Sequence, residues 1–307
     1  MAKLKKQHMT IHWKAIVQDD SSIPATEATL KEKATLVGRI GLMMLSVGTG
    51  AWRVRNSMNK VSRCLGITCT ADIGLLAISY TCIEGTDTYT QSISLPTTGV
   101  NTHKLMELEL FMKEFPDKVS TCSVKHIHEV LDEIQKFPAN YKAWNLGLAS
   151  ALACGAFTFL LGGGPVEMCC AFLGAGVGNF VRKKMLGHSI SLLANVAVSV
   201  AASCLVYVLT ILLAQSLLSV SAVHQAGYIC AMLFVIPGFP LITGGIDLAK
   251  LDLRSGLERV SYALLIILTA TMTGWATAAI CQFQPADFEP LQLQKRSEER
   301  RVGKECR

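Results

Sequence analysis

The spacing of apolar residues changes twice along this chain, and each change marks a new kind of element. From residue 27, Leu30, Ala34, Val37, Ile40, Leu42, Met44 and Leu45 recur on one broad helical face, up to the breaker Gly48-Thr-Gly50. A second helix is predicted from Ala51 to about residue 65. Trp52, Val54, Met58, Val61 and Leu65 form its apolar side, with Arg53, Arg55, Asn59, Lys60 and Arg63 on the solvated side. The period then falls to two. Segments 67–72, 75–84 and 88–95 are rich in Ile, Thr and Tyr and are separated by Gly74 and by Glu84-Gly-Thr-Asp87, which predicts a small antiparallel meander. Helical spacing returns with Asn101 or Thr102 as a cap, for a helix expected to stop at Phe115-Pro116. Another helix, capped between Ser120 and Ser123, turns Val124, Ile127, Val130, Leu131 and Ile134 inward and ends before Pro138. Strands in one layer with helices on a face make an α+β domain over residues 27–140. Residues 1–26 are expected to be disordered, their apolar stretch being too short and interrupted for a secretion signal.

Beyond Trp144 the apolar residues become continuous. Segments 144–161, 166–181, 190–213, 227–246 and 260–281 each have roughly the length needed to cross ~30 Å of hydrocarbon. They predict a five-helix transmembrane bundle over residues 142–282, followed by a tail, 283–307. The fourth segment is interrupted by Pro237, Gly238, Pro240 and the pair Gly244-Gly245. A proline in a helix removes a backbone donor and clashes with the preceding turn. In hydrocarbon a broken helix survives only where it is packed in protein or lines a wet cavity, and many secondary transporters hold substrate at such a break.

Positive charge sets the orientation. Lys136 and Lys142 precede the first segment, Arg182, Lys183 and Lys184 follow the second, and Lys250, Arg254 and Arg259 lie between the fourth and fifth. The loops at 162–165 and 215–225 contain no lysine or arginine. The positive-inside rule therefore predicts a multi-pass protein of the cell (inner) membrane, with a cytoplasmic N-terminal domain and the C-terminus outside.

Composition agrees with lipid as the solvent of the second half. Half of the 307 residues are hydrophobic, 17% are charged and mean hydropathy is +0.38, whereas soluble domains carry about 25% charged residues. The net charge of +6 is inflated by residues 296–307, a charge-dense run that reads as a translated vector or adaptor scar. Without its five basic and three acidic residues the balance is +4. Aromatic and basic residues do not alternate anywhere, which argues against nucleic acid as a partner. The eleven cysteines contain no CxxC, and His126 and His128 diverge on a helix. The cysteines are expected to be small buried hydrophobes, with no metal or other cofactor implied.

Four stretches carry a resemblance: SVGTGAWRVRNSMNKVSRCLG at 46–66, GVNTHKL at 99–105, FLGAGVG at 172–178, and PGFPL at 237–241 continuing through DLAKLDLRSGL at 247–257. In order and spacing, over about residues 28–282, the chain resembles the threonine/serine exporter family, specifically its N-terminal half in a split, half-length form. At the first stretch the family often has an acidic residue after the Arg-Val pair, where this chain has Arg55. The resemblance implies export of a small amino or organic acid, driven by an ion gradient. It also implies a second membrane subunit, since the chain is too short to hold both membrane halves.

The candidate pathway residues are few. Asp247 ends the broken helix and is a candidate cation or proton site, because acids within a membrane are costly; the alternative is a helix-end acid at the interface. Pro237, Gly238, Pro240 and Thr243 surround the break. Asn179 and Asn195 could offer amides to a substrate or hydrogen-bond between helices. Arg182 could attract a carboxylate or simply orient the chain. Glu167 is expected to face water, and Gly174 and Gly178 to form a close helix contact. In the N-terminal domain Arg53, Asn101 and His103 belong to the family-like stretches. No catalytic spacing joins His103, Asp72 and Asp87, which argues against an enzyme. A regulatory or assembly subunit, its cytoplasmic domain sensing a ligand, is the competing reading.

Overall fold

Residues 13, 23–136, 141–186, 190–218 and 225–283 are described in the computed structural model. The expected disorder of most of residues 1–26 and the nature of the tail, including 296–307, lie outside them. The described chain falls into two units. One contains residues up to 136 together with Gly238–Ala263, and the other contains Tyr141–Pro237 and the residues from Leu264 on.

The first, here the sheet unit, begins with α1 (Leu30–Ser46) and α2 (Ala51–Cys64). Glu32 closes the first turn of α1 by accepting both the N–H and the hydroxyl of Thr29, at 3.1 and 2.7 Å. Strands β1 (Thr68–Ile73), β2 (Ala77–Glu84) and β3 (Asp87–Ser94) form an antiparallel meander in the order β1-β2-β3. Its turn is fixed where Glu84 pairs with Asp87 across Gly85, whose φ is +60°. Ile78, Tyr80 and Cys82 on β2 point inward to α1. On the opposite face Ser79 meets Ser92 and Thr81 meets Thr90 through hydroxyl hydrogen bonds of 3.0 and 2.9 Å. This is the meander that the period-two pattern predicts.

Two more helices, α3 (Thr102–Lys118) and α4 (Val124–Lys136), pack on α2 and α1 respectively and on each other, and share the same core. Asn101 caps α3, its side-chain oxygen accepting from the Lys104 N–H at 3.1 Å. Contrary to expectation, α3 continues through Pro116. The proline leaves the Met112 carbonyl without its helical donor, and the Lys60 ammonium donates to that carbonyl instead, at 2.7 Å. Trp52 also departs from its expected place in the core. It is exposed, and the Lys250 ammonium lies 3.8 Å from its ring centroid.

The second, helical unit is built from α5 (Ala143–Leu160), α6 (Pro165–Met185), α7 (Leu192–Leu218), the short α8 (Gln225–Ala231) and a 3-10 turn at Leu233–Val235. Helix α9 (Gly238–Ala249) and the start of α10 (Leu253–Ile280) belong to the sheet unit, and the rest of α10 to the helical one. Three stretches, Ala143–Leu160, Leu192–Leu217 and Leu253–Ile280, are long and apolar enough to cross a membrane. A fourth qualifies only as the pair Ala226–Val235 and Gly238–Ala249, bent by 70° at the break that Pro237 predicts. By length and composition the described residues thus hold three to four spans. Helix α6 is not among them: it runs to Met185, carrying Arg182, Lys183 and Lys184 within it.

Inside the helical unit many buried positions are small, Ala151, Cys154, Ala171, Ala175, Ser199 and Ser203 among them, and they alternate with larger ones such as Val196, Tyr207, Ile211 and Tyr228. A side chain at Gly178 would place its Cβ 2.7 Å from the Ser203 Cβ, so the glycine is what lets α6 and α7 touch. The large residues Leu205, Leu209, Leu212, Leu264, Leu268 and Trp275 are exposed. Such a surface is untenable in water and is what lipid requires: this is a membrane protein.

Candidate functional site

Glycine at the start of α2 sets up the first cluster. The N-cap of that helix is Gly50, which has no side-chain oxygen to offer the free N–H groups of the first turn. Asp247, from the last turn of α9, supplies the missing acceptor: its two carboxylate oxygens lie 3.0 and 3.1 Å from the Ala51 nitrogen. A Cβ at position 50 would sit 3.0 Å from the nearer oxygen, so glycine also leaves room for the carboxylate. Asp247 further accepts from the Ser255 hydroxyl at 2.9 Å and pairs with the Arg259 Nε at 3.2 Å.

Arg259 closes the loop between α1 and α2 from the same side. Its guanidinium donates to the Thr49 carbonyl at 2.7 Å and, more weakly, to the Gly48 carbonyl and the Thr243 hydroxyl, at 3.5 and 3.4 Å. Asp247 is fully buried and Arg259 nearly so, and every charge-bearing atom of the carboxylate has a partner. Chain reversal just beyond Asp247 uses a Schellman turn. The Asp252 N–H donates to the Asp247 carbonyl at 2.9 Å and the Leu251 N–H to the Leu248 carbonyl at 3.0 Å, with Leu251 held at φ +63°.

Around this pair the outer charges form a fringe. Arg55 donates to Asp252 at 2.8 Å, Arg254 pairs with Asp72, and Glu258 accepts the Leu75 N–H at 2.6 Å. The second family-like stretch joins the same place, as the N–H groups of Gly99 and Asn101 donate to the Ser46 and Val47 carbonyls at 3.3 and 3.4 Å. Three stretches separated by up to about 200 residues are thereby gathered on the α1–α2 turn. Arg53 lies on the solvated side of α2, paired with Glu109 at 2.5 Å, and His103 lies in the first turn of α3.

A second cluster lies in the helical unit. The break before Pro237 frees backbone carbonyls, and Arg182 from α6 donates to the one at Phe234, at 3.1 Å. Asn195 of α7 donates its amide to the Arg182 carbonyl at 3.3 Å, while its own side-chain oxygen is buried without a hydrogen-bond partner among the described residues. Asn179 donates to the Leu146 carbonyl across to α5 at 2.9 Å. Glu167, expected in water, is buried: it accepts the Gly164 N–H at 2.8 Å and so caps its own helix.

Arg182 and Asn195 are therefore brought together, as are Asp247 and Thr243, but these are two clusters in two different units. Pro240 and Gly238 belong to α9 and Pro237 to the break before it. Sequence reasoning missed Arg259 as the partner of Asp247. The signal was present as Ser255 and Arg259, four apart and on one helical face, ahead of the apolar run that begins at 260.

Residues 35–281 match the family described as "Putative threonine/serine exporter". The "Probable succinate transporter subunit YjjP" of Klebsiella aerogenes is 25% identical over 236 residues, 76% of this chain and 87% of the relative. The protein of the same description from Escherichia coli K12 is 24% identical over 237 residues, covering 76% and 88%. No solved structure matches.

Proposed function

Because this chain belongs to the threonine/serine exporter family, we propose that it is one membrane subunit of a secondary-active exporter of small amino or organic acids, working with a second membrane subunit. The relatives named as subunits of a succinate transporter support both the substrate class and the need for a partner. The observation that carries the reading is the interrupted span, where a guanidinium meets a carbonyl freed by the break. A cation held among apolar helices is costly, and its retention there is what a solute path would account for. In this scheme Arg182, with the amides of Asn195 and Asn179, receives the substrate carboxylate. Asp247 and Arg259 hold α9 against the α1–α2 turn and must part or shift when α9 moves. By the positive-inside argument the sheet unit faces the cytoplasm of a cell whose inner membrane holds the chain.

Efflux of succinate, serine and threonine from preloaded vesicles tests this, with the chain alone and with its second subunit. Flux is expected only from the pair, and Arg182→Gln is expected to lower it at least ten-fold with the complex still assembled. Full flux from this chain alone, or undiminished flux in the variant, would count against the scheme. A second reading, a regulatory subunit whose sheet unit senses a ligand, is favoured by a separate observation, a cavity in that unit lined by Trp13, Arg39 and Lys104. Loss of export on Asp247→Asn or Pro240→Ala, with the complex still assembled, points to the carrier, and loss only on changing Arg53 or His103 points to the sensor.

A further inference from the structure

Helix α1 carries an arginine in the middle of its buried face. Arg39 is 1% exposed and has five N–H groups to satisfy. Four are used: Nη1 donates to the carbonyl and to Nδ1 of His128, each at 2.9 Å, and Nη2 donates to Asp132 and to the Gln135 side chain. The fifth, on Nε, is buried with no hydrogen-bond partner among the described residues. Since a guanidinium only donates, His128 Nδ1 must accept, which puts the imidazole proton on Nε2. That nitrogen is likewise buried without a partner. Two unsatisfied buried groups thus lie within one cluster, and both are donors.

Beside them is a cavity of about 80 Å³ lined by Trp13, Arg39, Ser46, Lys104, Leu108 and Gln135. It is several times the ~10–15 Å³ that one water requires. The Trp13 ring stacks on His128 with centroids 6.2 Å apart and lies 5.8 Å from the Arg39 guanidinium. Lys104 donates to the Gln135 carbonyl at 2.8 Å and has no carboxylate within ion-pair distance among the described residues. Among the described residues Arg39 and Lys104 face one acid, Asp132, so two cationic groups meet a single carboxylate there. A buried donor left unpaired is costly, and an acceptor that also carries negative charge, placed in this cavity, which Arg39 lines and His128 does not, relieves the deficit at Arg39.

We propose that this cavity is a binding site for a small carboxylate, with its oxygens on Arg39 and Lys104 and its short carbon stem against Trp13 and Leu108. The site lies wholly in the sheet unit and does not depend on whether the chain transports anything, because its test reads binding and not flux.

The test uses the full chain in detergent, titrated with acetate, succinate and inorganic phosphate and followed by tryptophan fluorescence and calorimetry. Saturable binding of a carboxylate is expected. Lys104→Gln should weaken it at least ten-fold, and Trp13→Phe should remove the fluorescence change while heat of binding persists. Arg39→Lys should also weaken binding; should that variant misfold, as circular dichroism would reveal, Lys104→Gln decides. Absence of saturation with either carboxylate up to roughly 10 mM, an unchanged affinity in Lys104→Gln, or binding of phosphate alone would each overturn the proposal.

Discussion

The two units solve the burial problem in different ways. In the sheet unit Leu36, Ile40, Met44, Met58, Tyr80 and Phe115 are inside and the polar hydroxyl ladder of β2 and β3 is outside. In the helical unit Ala, Gly, Ser and Cys share the interior with a few larger residues such as Tyr207, Ile211 and Tyr228, and most Leu, Phe and Trp side chains are outside. The difference follows from the solvent. Water drives large apolar groups inward, whereas lipid gives no such drive and leaves close backbone approach as the source of helix association. Cations differ in parallel: Arg39 and Arg259 are buried in the sheet unit against carboxylates, while the half-buried Arg182 of the helical unit is seen against a backbone carbonyl at a helix break.

The sharpest way to break that contrast is to remove the partner of a buried ion. Asp247→Ala strands Arg259 in a buried position and strips α2 of its cap, and losing one member of a buried pair costs about 3–5 kcal/mol. Thermal unfolding in detergent should show the largest fall of any variant considered. The double change Asp247→Ala with Arg259→Met should recover much of it, since the penalty is the orphaned charge. A double variant no better than the single would show that the cap, and not the ion pair, dominates.

The helical unit should instead fail through size. Gly178→Leu forces atoms into the space of Ser203 and Phe234, and overpacking of this kind costs about 1–3 kcal/mol. Gly245→Ala, in α9 of the sheet unit, whose added Cβ meets nothing within 4 Å, is the control for an unpacked helical glycine and should leave stability unchanged or raise it through helix propensity by up to ~1 kcal/mol. Equal effects from the two glycines would contradict close packing as the organising force of α6 and α7.

How far this was legible in the sequence depends on the range of the interaction. The meander, α1, α2 and the break at Pro237 follow from local periodicity and from proline's missing donor, so the pattern alone placed them. Helix α3 was expected to stop at Pro116 because its repair, Lys60, lies 56 positions away in the chain. Asp247 stood out as an acid beside an apolar run, but its meaning depends on Gly50 and Arg259, which no local window contains. Arg39 and His128 left no local sign of pairing, because an isolated arginine on a helical face looks the same whether it meets water or an imidazole.

His128 gives the next largest effect and confines it to the sheet unit. Burial, reinforced by the Arg39 guanidinium, pushes its pKa down to about 3 from the ordinary 6.5. Between those values the unfolded chain holds a proton that the folded chain does not, so stability falls as pH drops from about 6.5 toward 3. The slope approaches ~1.4 kcal/mol per pH unit. Measured between pH 6 and 5, before most carboxylates titrate, the slope should flatten in His128→Phe. An equal slope in the variant would assign the acid sensitivity elsewhere.

The smallest effect expected is a gain, at the turn that follows Asp247. Leu251 occupies the Schellman position that glycine usually fills, at φ +63°, and its side chain is 81% exposed, so packing does not explain the residue. A left-handed conformation costs a side-chain-bearing residue roughly 1–2 kcal/mol, of which the greater freedom of glycine in the unfolded chain returns part. Leu251→Gly should therefore stabilise the protein by less than about 1 kcal/mol, read as a rise in the unfolding midpoint. The same change relaxes the joint between α9 and α10 without touching the Asp247–Arg259 pair. Should stability instead fall, Leu251 must be held by contacts with lipid or with another subunit that its exposure in the isolated chain does not reveal.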